Sequence, residues 1–248
     1  MFAVNGTTLS LAAGEAFDFE TKDGYTVTLQ ATDGDLTYNK DFTINVNDVN
    51  EVPKDINLTN ISLDENDVAG VVATITGLDP DAGDTDTLIY TIVGGADAAM
   101  FAVNGNTLSL ASGVVADYES AKTDYEVKLQ ATDGDNLTVD KTFTIAVNDV
   151  NDAPTDITLT SSSVDENDTA GVVGTIAAVD PNNDALTYTI VVGDDAGLFF
   201  IDGTTLRLNN GVVFNKEIKD EYTITLQAND GALTYDETFS AYKCPNCK

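Results

Sequence analysis

The chain has 248 residues, with 11 Lys and Arg against 42 Asp and Glu, no His, no Trp and two Cys, giving a formal charge of −31 at pH 7. At 42% hydrophobic it can fill ordinary cores, so it is not acidic disorder, and without His it lacks the commonest general base, the usual Ser or Cys triad and the common zinc and haem ligands. The charge opposes binding to nucleic acid and to anionic membranes and favours cations, and no apolar run approaches the ~20 residues of a membrane span.

Internal repeats dominate the chain. Met1-Phe-Ala-Val-Asn-Gly-Thr-Thr-Leu-Ser-Leu11 returns at Met100–Leu110 and, more loosely, at Leu198–Leu208. Leu29-Gln-Ala-Thr-Asp33 returns at Leu129–Asp133 and, as Leu-Gln-Ala-Asn-Asp, at Leu226–Asp230. Asp64-Glu-Asn-Asp67 matches Asp165–Asp168, and Pro53 matches Pro154. The unit is therefore roughly 100 residues, the size of one small domain. Phased this way, residues 1–52 are the C-terminal half of a repeat, 53–153 a complete one and 154–243 a nearly complete one, with a tail at 244–248. A half domain leaves an apolar face uncovered. Two readings follow: a piece of a longer array, or strand donation by a partner chain.

Each repeat reads as β. Tyr25–Thr32, Tyr125–Thr132 and Tyr222–Asn229 alternate apolar and polar residues, which places Tyr125, Val127, Leu129 and Ala131 on one face. Phe42, Ile44 and Val46, matched by Phe143, Ile145 and Val147, mark a second alternating strand. Val71–Ile75 and Leu186–Val192 are further β-rich runs, with Asp-Gly and Asn-Gly turns between strands and no helical periodicity. Around seven short strands per repeat predict an all-β chain of tandem immunoglobulin-like Greek-key sandwiches in a linear array.

The acids gather at predicted strand ends in recurring groups. Asp18 and Glu20 recur as Asp117 and Glu119, and Asp48, Asn50 and Glu51 recur as Asp149, Asn151 and Asp152. Asp79 and Asp81 recur as Asp180 and Asn182, Asp133 recurs as Asp230, and Glu65 stands in Asp-Glu-Asn. This constellation resembles the cadherin family, specifically its bacterial and archaeal cadherin-like repeats. The family's Glu, Asp-Arg-Glu, linker, Asp-x-Asp and Ala-x-Asp motifs all have counterparts here, in order, over the chain except its last six or so residues. The Arg of Asp-Arg-Glu is Phe19 or Tyr118, and the linker is one residue shorter before Pro.

The resemblance implies calcium ions at the junctions between repeats. Two unit charges 4 Å apart repel by about 4 kcal/mol at an effective dielectric near 20, and Ca²⁺, with its 6–8 oxygen ligands, suits such a set better than Mg²⁺ does. Asp18, Glu20, Asp48, Asn50, Glu51, Asp79, Asp81 and Asp133 are expected at the first junction. Glu65, Asp117, Glu119, Asp149, Asn151, Asp152, Asp180, Asn182 and Asp230 are expected at the second. A third is weak or absent, since Asn215-Lys216 interrupts the motif, and Glu166 and Glu217 are read as surface acids. Adaptation to a salty habitat is the competing account of the overall charge, but it gives no reason for the fixed phase.

The function implied is a calcium-stiffened structural and adhesive module of a surface adhesin or fibre. It would be extracellular or at the cell surface, with any secretion signal outside this sequence. Its expected partners are like domains, copies of itself or an undefined cell-surface ligand, without nucleic acid or membrane insertion. The alternative is a set of spacer domains in a larger secreted enzyme such as a polysaccharide hydrolase, since paired acids can support glycoside hydrolysis. Repetition with the domains favours cation binding, so no catalytic residue is expected. Cys244-Pro-Asn-Cys247 leaves open half a zinc site, a redox pair, a tight disulfide, a variant haem attachment sequence or a contact between chains. Five Asn-x-Ser/Thr sequences start at Asn5, Asn57, Asn60, Asn136 and Asn167.

Overall fold

Alternating β-branched and aromatic residues, punctuated by short Gly and Asn turns, produce strands throughout. The structure is a computed structural model. It describes residues 1–68, 70–81, 87–164, 171–191, 193, 195–215, 218–219 and 221–243, with only the backbone of 241–243. Asp165–Asp168 with Glu166 and Asn167, Lys216, Glu217, Cys244 and Cys247 lie outside the described residues. The chain divides into two compact units, Met1–Asn148 and Asp149–Lys248.

In the first unit, residues 1–52 contribute two hairpins. Strand β1 (Phe2–Asn5) pairs with β2 (Thr8–Leu11), and β3 (Gly24–Thr32) pairs with β4 (Thr37–Asn45). The β1–β2 turn begins at Gly6, whose φ of 64° costs glycine no Cβ clash. Phe2, Phe17 and Tyr25 form a small aromatic group, with ring centroids 5.1–6.0 Å apart. Beside it lies an open groove of about 590 Å³ whose lining includes Val4, Leu9, Leu29, Ala31, Tyr38 and Phe42.

The complete repeat follows with β5 (Asp55–Leu58), β6 (Ser62–Asp64), β7 (Val71–Leu78), β8 (Ile89–Gly94), β9 (Phe101–Asn104), β10 (Thr107–Leu110), β11 (Asp124–Thr132) and β12 (Thr138–Asn148). They make two four-stranded sheets, β5-β7-β10-β9 and β6-β12-β11-β8. Eight strands form where around seven are expected, because the first is divided between the sheets. Strand β5 pairs antiparallel with β7, and β6 pairs parallel with β12. Asn60 makes the bend: its Oδ1 accepts from the Ser62 amide and its Nδ2 donates to the Ser62 carbonyl. Ile56, Ile75, Leu108, Val127, Leu129 and Ile145 fill the space between the sheets.

The second unit repeats the plan with β13 (Asp156–Leu159), β14 (Ser163–Val164), β15 (Val172–Val179), β16 (Thr187–Val191), β17 (Phe199–Asp202), β18 (Thr205–Leu208), β19 (Glu221–Asn229) and β20 (Thr234–Lys243). Its sheets run β13-β15-β18-β17 and β14-β20-β19-β16, around Ile157, Ile176, Leu206, Ile224 and Leu226. The helical content among the described residues is limited to single 3₁₀ turns at Ala98–Met100 and Ala196–Leu198.

Candidate cation-binding linkers

The hairpin ends and linkers that carry the recurring acids are the chain's candidate functional regions. In the first unit, β4 runs out at Asn45, so the linker Asp48–Glu51 follows it directly toward β5. One carboxylate oxygen each from Glu20, Asp48, Glu51 and Asp81 lies within 4.8 Å of the others. The Glu51 amide donates to Asp81 Oδ2 at 2.8 Å, which seats the linker on the loop after β7. Asp79 and Asp81 are both buried, and the Asp81 amide donates to Asp79 Oδ1 at 3.0 Å. Beside them, Asn50 Nδ2 donates to Asp133 Oδ2 at 2.9 Å.

The electrostatics follow from this crowding. Desolvation raises the pKa of Glu51 above the ordinary carboxyl range, and the neighbouring charges of Glu20, Asp81 and Asp48 push the same way. Asp133 moves the other way: its burial would raise it, but hydrogen bonds from Asn50 and from the Leu137, Asp135 and Asn136 amides together hold it low. Asp18 is outside the set of four mutually close carboxylates but interacts with Glu20, one of its members. It accepts from the Thr21 amide at 3.0 Å, which lowers its pKa, and Lys54 lies close enough to contribute in the same direction.

Glu65, Asp117 and Glu119 come together in a second group at the other end of the complete repeat, again with ligand atoms within 4.8 Å. The Tyr118 amide donates to Glu65 Oε2 at 2.7 Å, so the Glu that precedes β7 is fixed against the Asp117–Glu119 loop. The rest of the second predicted set belongs to the second unit, where hydrogen bonds link several of its members. Asn151 Nδ2 donates to Asp230 Oδ2 at 2.9 Å, and the Asp152 amide donates to Asn182 Oδ1 at 2.7 Å. Asn182 Nδ2 in turn donates to Asp149 Oδ1 at 2.8 Å. Asp180 is buried; its Oδ1 accepts from the Asp184 amide, while its Oδ2 has no hydrogen-bond partner among the described residues. Asp230 is held low by the Leu233 and Ala232 amides and by Asn151.

These donor sets are chemically matched to a hard cation. Carboxylate oxygens crowded to within 4.8 Å, with Asn carbonyls beside them, suit Ca²⁺, whereas an acidic set of this kind repels itself in the absence of positive charge. Asp97 and Asp195 were missed by the sequence reading. Asp97 pairs with Lys122 at 2.8 Å and accepts from the Glu126 amide. Asp195 pairs with Lys219 and accepts from the Thr223 amide at 2.8 Å. In each repeat the Lys also lies over the ring of a Tyr, Tyr125 or Tyr222. These acids, Asp195 buried and Asp97 partly so, fasten a loop to β11 or β19 and are satisfied by the protein.

Residues 59–148 match the model of the cadherin-domain family. That segment is a cadherin domain. It holds Glu65, Asp79, Asp81, Asp117, Glu119 and Asp133. Human protocadherin Fat 4 is 32% identical over 179 residues, covering 69% of this chain and 4% of that protein. Chimpanzee (Pan troglodytes) protocadherin gamma-B2 is 27% identical over 246 residues, covering 92% of this chain and 26% of that one. The chain thus spans a small part of the length of these relatives. Among solved structures, mouse protocadherin-24 EC1-3 superposes with a TM-score of 0.62 at 22% identity, covering 98% of this chain and 86% of that one. A protocadherin gammaB7 EC3-6 structure described as a cis-dimer gives 0.54 at 24% identity, with 93% and 59% covered. The fold is that of tandem protocadherin ectodomain repeats, as the all-β reading anticipates. These cadherin relatives are mammalian, so the family likeness stands while the narrower likeness to bacterial and archaeal repeats does not. They are adhesion proteins, and they give no support to strand donation or to a host enzyme.

Proposed function

We propose that this chain is an extracellular adhesive repeat module whose linkers are stiffened by calcium. The observation that carries the reading is the convergence of Glu20, Asp48, Glu51 and Asp81 on one spot, with Asn50 holding Asp133 beside it. At the first linker these residues, with Asp79, would supply oxygen ligands to Ca²⁺, while Asp18 flanks the set. Within the first unit Glu65, Asp117 and Glu119 would offer a further set of oxygen ligands, and within the second unit Asp149, Asn151, Asp152, Asp180, Asn182 and Asp230 would offer another. The cation would neutralise acids that otherwise repel, so the crowded first linker would be ordered when it is bound and looser when it is removed. The repeat boundaries at 52/53 and 153/154 belong to the same proposal.

Self-association or contact with like domains is supported by the likeness to protocadherins, one of which, gammaB7 EC3-6, is described as a cis-dimer. The extracellular location draws on the same relatives. No described helix is long and apolar enough to cross a membrane.

The test is calcium titration of the whole chain by calorimetry, with melting followed in calcium and in chelator. Binding is expected, and at calcium 100-fold above Kd each saturated site adds about 2.7 kcal/mol of stability. The Asp149→Ala variant should lose binding at the second linker and keep it at the first. A chain that binds no calcium and melts identically in chelator overturns the reading.

A further inference from the structure

The two linkers share a sequence pattern but are fastened by different chemistry. Asp48-Val-Asn-Glu51 lies against Asp79-Pro-Asp81, and Asp149-Val-Asn-Asp152 lies against Asp180-Pro-Asn182. Two fastenings are common to both. The linker Asn reaches an Asp at the end of a long strand, Asn50 to Asp133 and Asn151 to Asp230, each at 2.9 Å. The last linker residue donates its amide to the loop, Glu51 to Asp81 Oδ2 at 2.8 Å and Asp152 to Asn182 Oδ1 at 2.7 Å.

The third fastening differs by one side chain. Asn182 presents an oxygen to the Asp152 amide and an N–H to the Asp149 carboxylate at 2.8 Å, so a single amide bridges the linker's first and last residues. Asp81 occupies the same place in the first linker and has no N–H to offer. Its carboxylate instead meets those of Asp48, Glu51 and Glu20. There a bridge to Asp48 requires a positive charge between the acids.

We infer that Asn182 is a built-in substitute for a cation: the linker 149–152 stays latched on its repeat without divalent ions, while the linker 48–51, which shares the other two fastenings but lacks this bridge, is held firmly only when one is bound. Falling calcium then releases the first linker and leaves the second latched. This inference rests on the calcium reading of the first linker.

The test is backbone hydrogen exchange of the whole chain at saturating calcium and in chelator, read at the amides of Glu51 and Asp152. Chelation is expected to speed exchange at Glu51 by at least about tenfold and to leave Asp152 within about twofold. The near-isosteric variants exchange the behaviour: Asn182→Asp makes the Asp152 amide calcium-dependent, and Asp81→Asn makes the Glu51 amide indifferent to chelator. Equal loss of protection at both amides, or an Asn182→Asp chain whose Asp152 amide ignores calcium, overturns the latch while leaving the calcium reading intact. If neither amide responds in the unaltered chain and calorimetry detects no calcium, the calcium reading falls and takes this inference with it.

Discussion

Strands β3 and β11 carry nearly the same sequence and live in different surroundings. In β11, Val127, Leu129 and Ala131 are fully buried between two sheets. In β3, Val27 and Leu29 are half-buried and Ala31 is exposed, because residues 1–52 supply only two hairpins and leave a groove where the complete repeat places β5, β7 and β8. Val4 is 62% exposed, whereas its counterpart Val103 packs against the core. Alternation fixes which residues point one way; what lies opposite decides whether they stabilise anything.

The sharpest way to break this comparison is a matched truncation. Leu129→Ala should cost about 2–5 kcal/mol and Leu29→Ala about 1 kcal/mol or less, measured by denaturant unfolding. Equal losses would mean that the β3 face is covered in solution. The next effect concerns the loop fastening that the complete repeat has and the half repeat lacks. Asp97→Ala removes the partner of the Glu126 amide and of Lys122 and should lower stability by about 1–3 kcal/mol. Lys22→Met, which loses only a contact over the Tyr25 ring, should leave the melting temperature unchanged.

The smallest effect is a pH dependence in chelator, set by two acids with opposite shifts. Glu51 has a raised pKa, so its contribution to stability is complete below the ordinary carboxyl value near about 4 and is lost as pH rises through the folded value. Asp133 is depressed, so its contribution is present above the ordinary value and is lost as pH falls through the folded one. In melting-versus-pH profiles, Glu51→Gln should flatten the higher-pH limb and Asp133→Asn the lower one. A variant that leaves its own limb unchanged refutes the assignment for that residue.

Most of the fold was legible because its signals are local. The alternation at Tyr125–Thr132 predicts β11 to within one residue, and the Asn-Gly turns predict the short hairpins. The division of the first strand was not legible, since it depends on Asn60 folding back onto Ser62 and on β6 finding β12 some 80 residues later. The recurring acids were recognised by phase; the structure brings Glu20, Asp48, Glu51 and Asp81 together, and Glu65, Asp117 and Glu119, while in the second unit hydrogen bonds join Asn151 to Asp230 and Asn182 to Asp149. Invisible in the sequence were the Asp97–Lys122 and Asp195–Lys219 pairs, whose members lie 25 and 24 residues apart in different elements. The separate roles of Asp81 and Asn182 were equally hidden, because one N–H distinguishes them only once Asp149 is in place.

The parallel pairing of β6 with β12 bears on how a repeat carries tension. The chain enters the complete repeat through β5 and then β6 and leaves it at the end of β12, and β6 and β12 run side by side over Ser62–Asp64 and Ala146–Asn148. Pulling the ends apart drags these strands past one another, so their backbone bonds are strained together rather than peeled singly as in a hairpin. The described part of the second unit carries a matching clasp, with β14 running parallel to β20.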